Sequence, residues 1–112
     1  LFSNLFIPLI KRNTPDVEVL VWNNYTNINN FIDTITCDLI LLDGGISNVS
    51  SIEVIQYLRM TKLEKSPIWF FPEILTSLYL LKANQLGINR TIQKPFDPYQ
   101  VNNEISALFV SK

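Results

Sequence analysis

The chain has 112 residues, 47% of them hydrophobic, and is nearly neutral, with nine basic against ten acidic residues. That is the size of one domain with enough apolar side chains for a core, and it carries neither the basic field of a nucleic-acid binder nor the charge run of a disordered tail. There is no histidine and a single cysteine, Cys37, which excludes Ser/His and Cys/His catalysis, most transition-metal sites and any internal disulfide, and points to a reducing, cytoplasmic setting.

The apolar start, residues 1–10, has no basic leading segment and no small-residue cleavage site, so it is not read as a signal peptide. No apolar run approaches the ~20 residues of a membrane span. Leu5, Phe6, Leu9 and Ile10 follow a helical spacing instead, with Pro8 expected to bend or shorten the helix and Thr14-Pro15-Asp16 to stop it. Residues 17–22 are rich in β-branched side chains and read as a strand ended by Asn23 and Asn24. Ile28, Phe31, Ile32 and Ile35 share one helical face, with Asn24 or Thr26 as the cap.

Residues 39–42 show no polar alternation, the pattern of a parallel strand covered on both faces. Asp43 ends that strand and Gly44-Gly45 breaks it. Ile52, Ile55 and Leu58, with Arg59, predict an amphipathic helix ending near Lys65-Ser66-Pro67. Residues 68–71 form the next buried strand, closed by Pro72. Thr76 or Ser77 is placed to cap a helix whose apolar stripe is Leu75, Leu78, Leu81 and Leu86, with Gly87 ending it. Residues 89–93 make a shorter, more polar strand suited to an edge. Asp97-Pro98 then starts a last amphipathic helix through Val101, Ile105, Leu108 and Phe109.

Alternation of helix and strand predicts right-handed crossovers and an α/β doubly wound parallel sheet. In such sheets ligands bind beyond the carboxyl ends of the strands. Asp43 and Lys94 fall at two of those ends, and that pair suggests phosphoryl chemistry on Asp43. An acid closing an apolar strand is otherwise poorly solvated. Cys37 reads as buried filler, and Trp22, Trp69, Phe70 and Phe71 as packing. The Asp33, Asp38 and Asp43 spacing is no metal motif, because alternating structure separates the three.

The motifs resemble the response-regulator receiver domain, the CheY-like module of two-component signalling. Residues 38–43, Asp-Leu-Ile-Leu-Leu-Asp, resemble its third strand and phospho-acceptor, and Leu86-Gly87-Ile88-Asn89 the turn before its fifth strand. Residues 54–59 resemble its third helix, and Lys94-Pro95-Phe96 follows Asp43 by 51 positions, as the family's lysine, cis-proline and phenylalanine do. The resemblance implies a flavodoxin-like sheet in the order 2-1-3-4-5 and a receiver domain over residues 1–112. It implies that Asp43 takes a phosphoryl group from a sensor histidine kinase or phosphotransfer protein. Mg²⁺ would be held by Asp43, the Gly45 carbonyl and a further acid, Lys94 would contact the phosphoryl group, and the Lys94-Pro95 bond would be cis. It also implies a signalling module rather than an enzyme, able to pair with a second copy through the family's fourth helix, fifth strand and fifth helix. Tyr79, Leu80, Tyr99 and Val101 are candidates for that face. Neither nucleic acid nor membrane is an expected partner.

This sequence also departs from the family's pattern. The family's first strand, with its acidic pair, is expected to be missing at the start of the chain, leaving the metal-binding acids unassigned. Pro72 and Glu73 stand where the fourth strand normally ends in a hydroxyl and a small residue, and Thr91 replaces the switch aromatic. Ser47 and Ser51 replace a proline and a glycine that follow the acceptor in the family. A Glu73–Lys94 ion pair fixing the site without phosphate is one consequence these residues suggest. The alternative function is therefore a degenerate receiver serving as a phosphorylation-independent interaction module. A small flavodoxin-like binding domain or enzyme is the weaker third reading, since no glycine-rich phosphate loop is present.

Overall fold

In a computed structural model of the protein, residues 2–14, 16–18, 36–44, 51–72, 76–93 and 95–110 are described. The chain order is α1 (Phe2–Asn13), β1 (Ile40–Asp43), α2 (Ser51–Gln56) running into a π-helical turn (Tyr57–Thr61), β2 (Ile68–Phe71), α3 (Ser77–Gln85), β3 (Arg90–Thr91) and α4 (Pro98–Val110). Two units are distinguished, residues 22–94 and residues 1–21 with 95–112. The strand expected at 17–22 and the helix expected at 28–35 lie, apart from Val17 and Glu18, outside the described residues.

The first unit is built on a parallel sheet in the order β1-β2-β3. These are the third, fourth and fifth strands of the sequence reading, adjacent as that reading requires. Every residue of β2 is buried, as its unbroken apolar run predicts. β1 is less covered, with Leu42 buried and Ile40 and Leu41 half-buried. Among the described residues it has a neighbour on one side only, β2. Ile68 and Phe70 of β2 and Leu42 of β1 pack with Ile52, Ile55 and Leu58, and with Ala83 of α3. The Phe70 and Tyr79 rings lie 6.1 Å apart. Trp69 and Phe71 alternate to the opposite face and are buried as well. Arg90 sits beside Trp69 in register, its guanidinium 5.1 Å from the ring centroid.

Two expectations within this unit are corrected. The stripe assigned to α3 is only partly its buried face: Leu86 packs against the core as expected, but Leu78 and Leu81 are 77% and 53% exposed, Tyr79 and Ala83 turn to the core in their place, and Leu75 lies outside the described residues. Tyr79, Ala83 and Leu86 also recur at helical spacing, so periodicity alone leaves the choice open, and the position of the sheet decides it. The helix expected to run from Ile52 to near Lys65 changes character after Gln56. There the Lys62 N–H donates to the Tyr57 carbonyl at 3.0 Å, one residue farther than in an α-helix. Leu63 takes a left-handed φ of 55°, and the Glu64 N–H closes onto the Leu58 carbonyl at 2.8 Å.

The caps follow the sequence. The Thr76 hydroxyl accepts from the Tyr79 N–H at 3.3 Å to start α3. Gly87 ends that helix at φ 97°, its N–H donating to the Asn84 carbonyl at 3.0 Å.

The second unit pairs α1 with α4. Phe6 and Ile10 are buried, as are Val101 and Ile105, and the Phe6 and Phe96 rings meet edge-on at 5.7 Å. The Asn13 amide donates to Asn102 Oδ1 at 2.9 Å, and the Thr14 and Ser106 hydroxyls are 2.7 Å apart. Pro8 is exposed within α1 and does not shorten it, and the helix stops at Asn13, before Thr14-Pro15-Asp16. Asp97 caps α4, accepting from the Tyr99 N–H at 2.9 Å, with Pro98 as the first helical residue. Among the described residues, no helix is long and apolar enough to cross a membrane.

Candidate functional site

Asp43 is half-buried and is the last residue of β1, in register with Phe71, the last of β2. The next residue fixes this alignment, because the Gly44 N–H donates to the Phe71 carbonyl at 2.9 Å. Thr91 pairs with Phe70, and the Ile92 N–H donates to the Phe70 carbonyl at 2.8 Å. Parallel pairing thus puts the carboxyl ends of β1, β2 and β3 along one edge of the sheet. Asp43 stands at that edge, and the segment after Thr91 leads from it.

The other candidate residues fall in different settings. Pro72 is fully buried at the end of β2 and carries no N–H or hydroxyl. Thr91 is exposed on β3. Pro95 and Phe96 belong to the second unit. Gly45, Glu73 and Lys94 lie outside the described residues, and so do the proposed Glu73–Lys94 pair and the geometry of the Lys94-Pro95 bond. Of the four residues suggested for a partner face, Val101 is buried and Tyr79 packs against the core, while Tyr99 is 63% exposed.

Oxygen chemistry suits a hard cation at Asp43. Mg²⁺ is commonly held by one or two carboxylates together with phosphate and water. Among the described residues no group of three or more acidic, cysteine or histidine side chains gathers that could hold a metal by itself.

The opposite edge of the sheet holds a polar network that the sequence did not announce. The Arg59 guanidinium donates to the carbonyls of Glu64 at 2.6 Å and Gly87 at 3.0 Å, and to Asn89 Oδ1 at 3.0 Å. Nearby, the Ser66 hydroxyl lies within reach of the Cys37 carbonyl and of the Glu64 carboxylate, and its single proton serves one of them at a time. Cys37 is half-buried, and desolvation, with Glu64 and then Asp38 adding negative charge, raises its thiol pKa against a smaller lowering by Ser66. That suits an unreactive thiol. The signal available in the sequence was Asn89 two residues after Gly87.

A search of curated proteins gives no match. Among solved structures, the chain is similar to the signal receiver domain of a DNA-binding response regulator from Colwellia psychrerythraea 34H, with 14% identity, TM-score 0.84, and coverage of 99% of this chain and 90% of that one. It is similar to a CheY-like receiver domain protein from Methanospirillum hungatei JF-1, with 14% identity, TM-score 0.82 and coverage of 98% and 86%. A response regulator from Burkholderia pseudomallei, solved with a phosphorylated aspartic acid, a calcium ion and citrate, is 14% identical at TM-score 0.69, covering 97% of this chain and 69% of that one. At such identities these likenesses show the fold. The family model for the response regulator receiver domain matches residues 4–106, and the chain therefore belongs to the response regulator receiver domain family.

Proposed function

We propose that residues 1–112 act as a receiver whose Asp43 accepts a phosphoryl group from the phosphohistidine of a sensor kinase or phosphotransfer protein and relays a conformational change. The observation that carries this reading is the position of Asp43, ending β1 at the edge where β2 and β3 also end. An Asp43 carboxylate oxygen forms a bond to phosphorus as the phosphorus–nitrogen bond breaks, leaving the imidazole to take up a proton. Bound Mg²⁺ would neutralise charge on the moving phosphoryl group. Asp43 and the Gly45 carbonyl would supply oxygens to it, and Lys94 would pair with a phosphoryl oxygen as a point charge. The phosphorylated aspartate and calcium ion of the Burkholderia pseudomallei protein support this chemistry in a relative. The role is signalling within the cytoplasm rather than enzymatic turnover, and the exposed Leu78 and Leu81 support contact with a second copy or a protein partner through α3.

Pro72 and Thr91 favour a second reading. A fully buried proline cannot donate a hydrogen bond to an arriving phosphoryl oxygen, and Thr91 offers no ring to move with it. On that reading the domain binds its partner without phosphorylation.

Intact mass and Trp69 fluorescence, recorded with acetyl phosphate and Mg²⁺, separate the two readings. The first expects the gain of one phosphoryl group, abolished by Asp43→Asn. A folded wild-type protein that gains nothing refutes it and leaves the interaction module.

A further inference from the structure

β3 is two residues long, Arg90 and Thr91, yet its register decides what its carboxyl end presents. So short a strand specifies register weakly by its own ladder. Asn89 supplies what the ladder lacks. Its backbone N–H donates to the Ile68 carbonyl at 2.9 Å, while its side-chain Oδ1 accepts from the Ile68 N–H at 2.8 Å. One residue therefore takes both main-chain groups of Ile68, which in a parallel ladder would be shared between two residues two positions apart. Oδ1 also accepts from Arg59 Nη2 at 3.0 Å, and the same guanidinium is tied to the Gly87 and Glu64 carbonyls. The π-helical turn that carries Arg59 and the turn that precedes β3 thus converge on one oxygen. Ile68 is fully buried, so loss of Oδ1 leaves its N–H without this acceptor in an apolar setting.

We infer that Asn89, held by Arg59, is a positioning residue. It locks β3 in register with β2 and so sets where Ile92 and Gln93, the residues beyond β3, stand relative to Asp43. A slip of one residue moves that segment by about 3.3 Å, more than a charge-assisted hydrogen bond of ~2.8 Å tolerates. The effect on phosphorylation rests on the reading of Asp43 and Lys94 given above, while the clasp itself does not.

The test compares wild type, Asn89→Ala and Asn89→Asp, the last keeping an acceptor for both Ile68 and Arg59. Amide hydrogen exchange is read at Ile92, which bonds to Phe70, and at Gly44, which bonds to Phe71 on the other side of β2. Asn89→Ala is expected to speed exchange at Ile92 at least tenfold more than at Gly44, and Asn89→Asp to restore it within about threefold. Equal acceleration at the two amides, or none at Ile92, overturns the clasp. Phosphoryl gain from acetyl phosphate with Mg²⁺ is measured on the same proteins. It is expected to slow at least tenfold in Asn89→Ala and to recover in Asn89→Asp, and an unchanged rate beside a loosened Ile92 overturns the positioning role. A wild-type protein that gains no phosphoryl group refutes the phosphoryl reading, and the exchange comparison then judges the clasp alone. If Asn89→Ala does not fold, Arg59→Met, which leaves the Asn89–Ile68 bonds in place, is expected to speed Ile92 exchange about threefold relative to Gly44, and no preferential change there overturns the inference.

Discussion

Replacing Gly87 by alanine tests whether backbone conformation or space dictates glycine at the end of α3. A Cβ built there meets Arg59 Nε at 3.5 Å, which is ordinary van der Waals contact, so overlap contributes little. The φ of 97° is the cost, because an L-residue in left-handed conformation pays about 1–2 kcal/mol. Alanine also stiffens the unfolded chain, which returns ~0.4–1 kcal/mol. Against that, relaxation toward negative φ would sacrifice the Gly87 N–H to Asn84 bond and the Arg59 bond to the Gly87 carbonyl, each worth about 0.5–1.5 kcal/mol net. The expected net loss is therefore about 1 kcal/mol, roughly 4 °C in Tm for a domain of this size. Urea unfolding followed by circular dichroism should show a lower midpoint at an unchanged slope. Gly87→Asn, a residue that tolerates left-handed backbone, should lose less than the alanine variant. An alanine variant within ~0.3 kcal/mol of wild type, or an asparagine variant just as destabilised, would refute the conformational explanation.

The remaining expectations concern the core, a cap and the thiol. Phe70→Ala removes a fully buried ring from the central strand and its contact with Tyr79, and should cost about 3–5 kcal/mol in urea unfolding. A loss below ~1 kcal/mol would mean the site collapses without a cavity. Thr76→Ala removes a 3.3 Å exposed cap bond and should cost only ~0.5 kcal/mol, so a loss above ~2 kcal/mol would contradict a cap-only role. The Cys37 thiol is raised by desolvation and by Glu64, so the folded state holds its proton more tightly than the unfolded state does. Its contribution is complete below the unfolded thiol value of ~8.5 and declines as pH rises above that. Cys37→Ala should therefore lose less stability than wild type between pH 8 and 10, and its thiol in the wild type should alkylate along a profile shifted to higher pH than a free cysteine. Identical alkaline slopes for the two proteins would count against the assignment.

Much of this protein is set by local sequence. Unbroken apolar runs marked β1 and β2 as parallel strands, fully covered for β2 and partly for β1, and the caps Thr76, Gly87 and Asp97 act where their chemistry requires. Placing Asp43 at a strand end needed only the run before it and the glycine after it. Local physics suffices for these features, because hydrogen bonding at a cap or turn involves residues a few positions apart.

What the tertiary structure alone decided are the choices between equivalent local solutions. α3 carries two leucine-bearing faces at helical spacing, and only the location of the sheet turns Tyr79, Ala83 and Leu86 inward while leaving Leu78 and Leu81 exposed. The chain after Gln56 widens into a π-helical turn although its pattern reads as continuous helix. In that arrangement Arg59 reaches carbonyls 5 and 28 residues away and an asparagine side chain 30 residues away. The register of β3 rests on Asn89 and Ile68, separated by 21 residues. No window of sequence contains such a pair, because the energy that selects it comes from buried groups that meet only after the chain has folded.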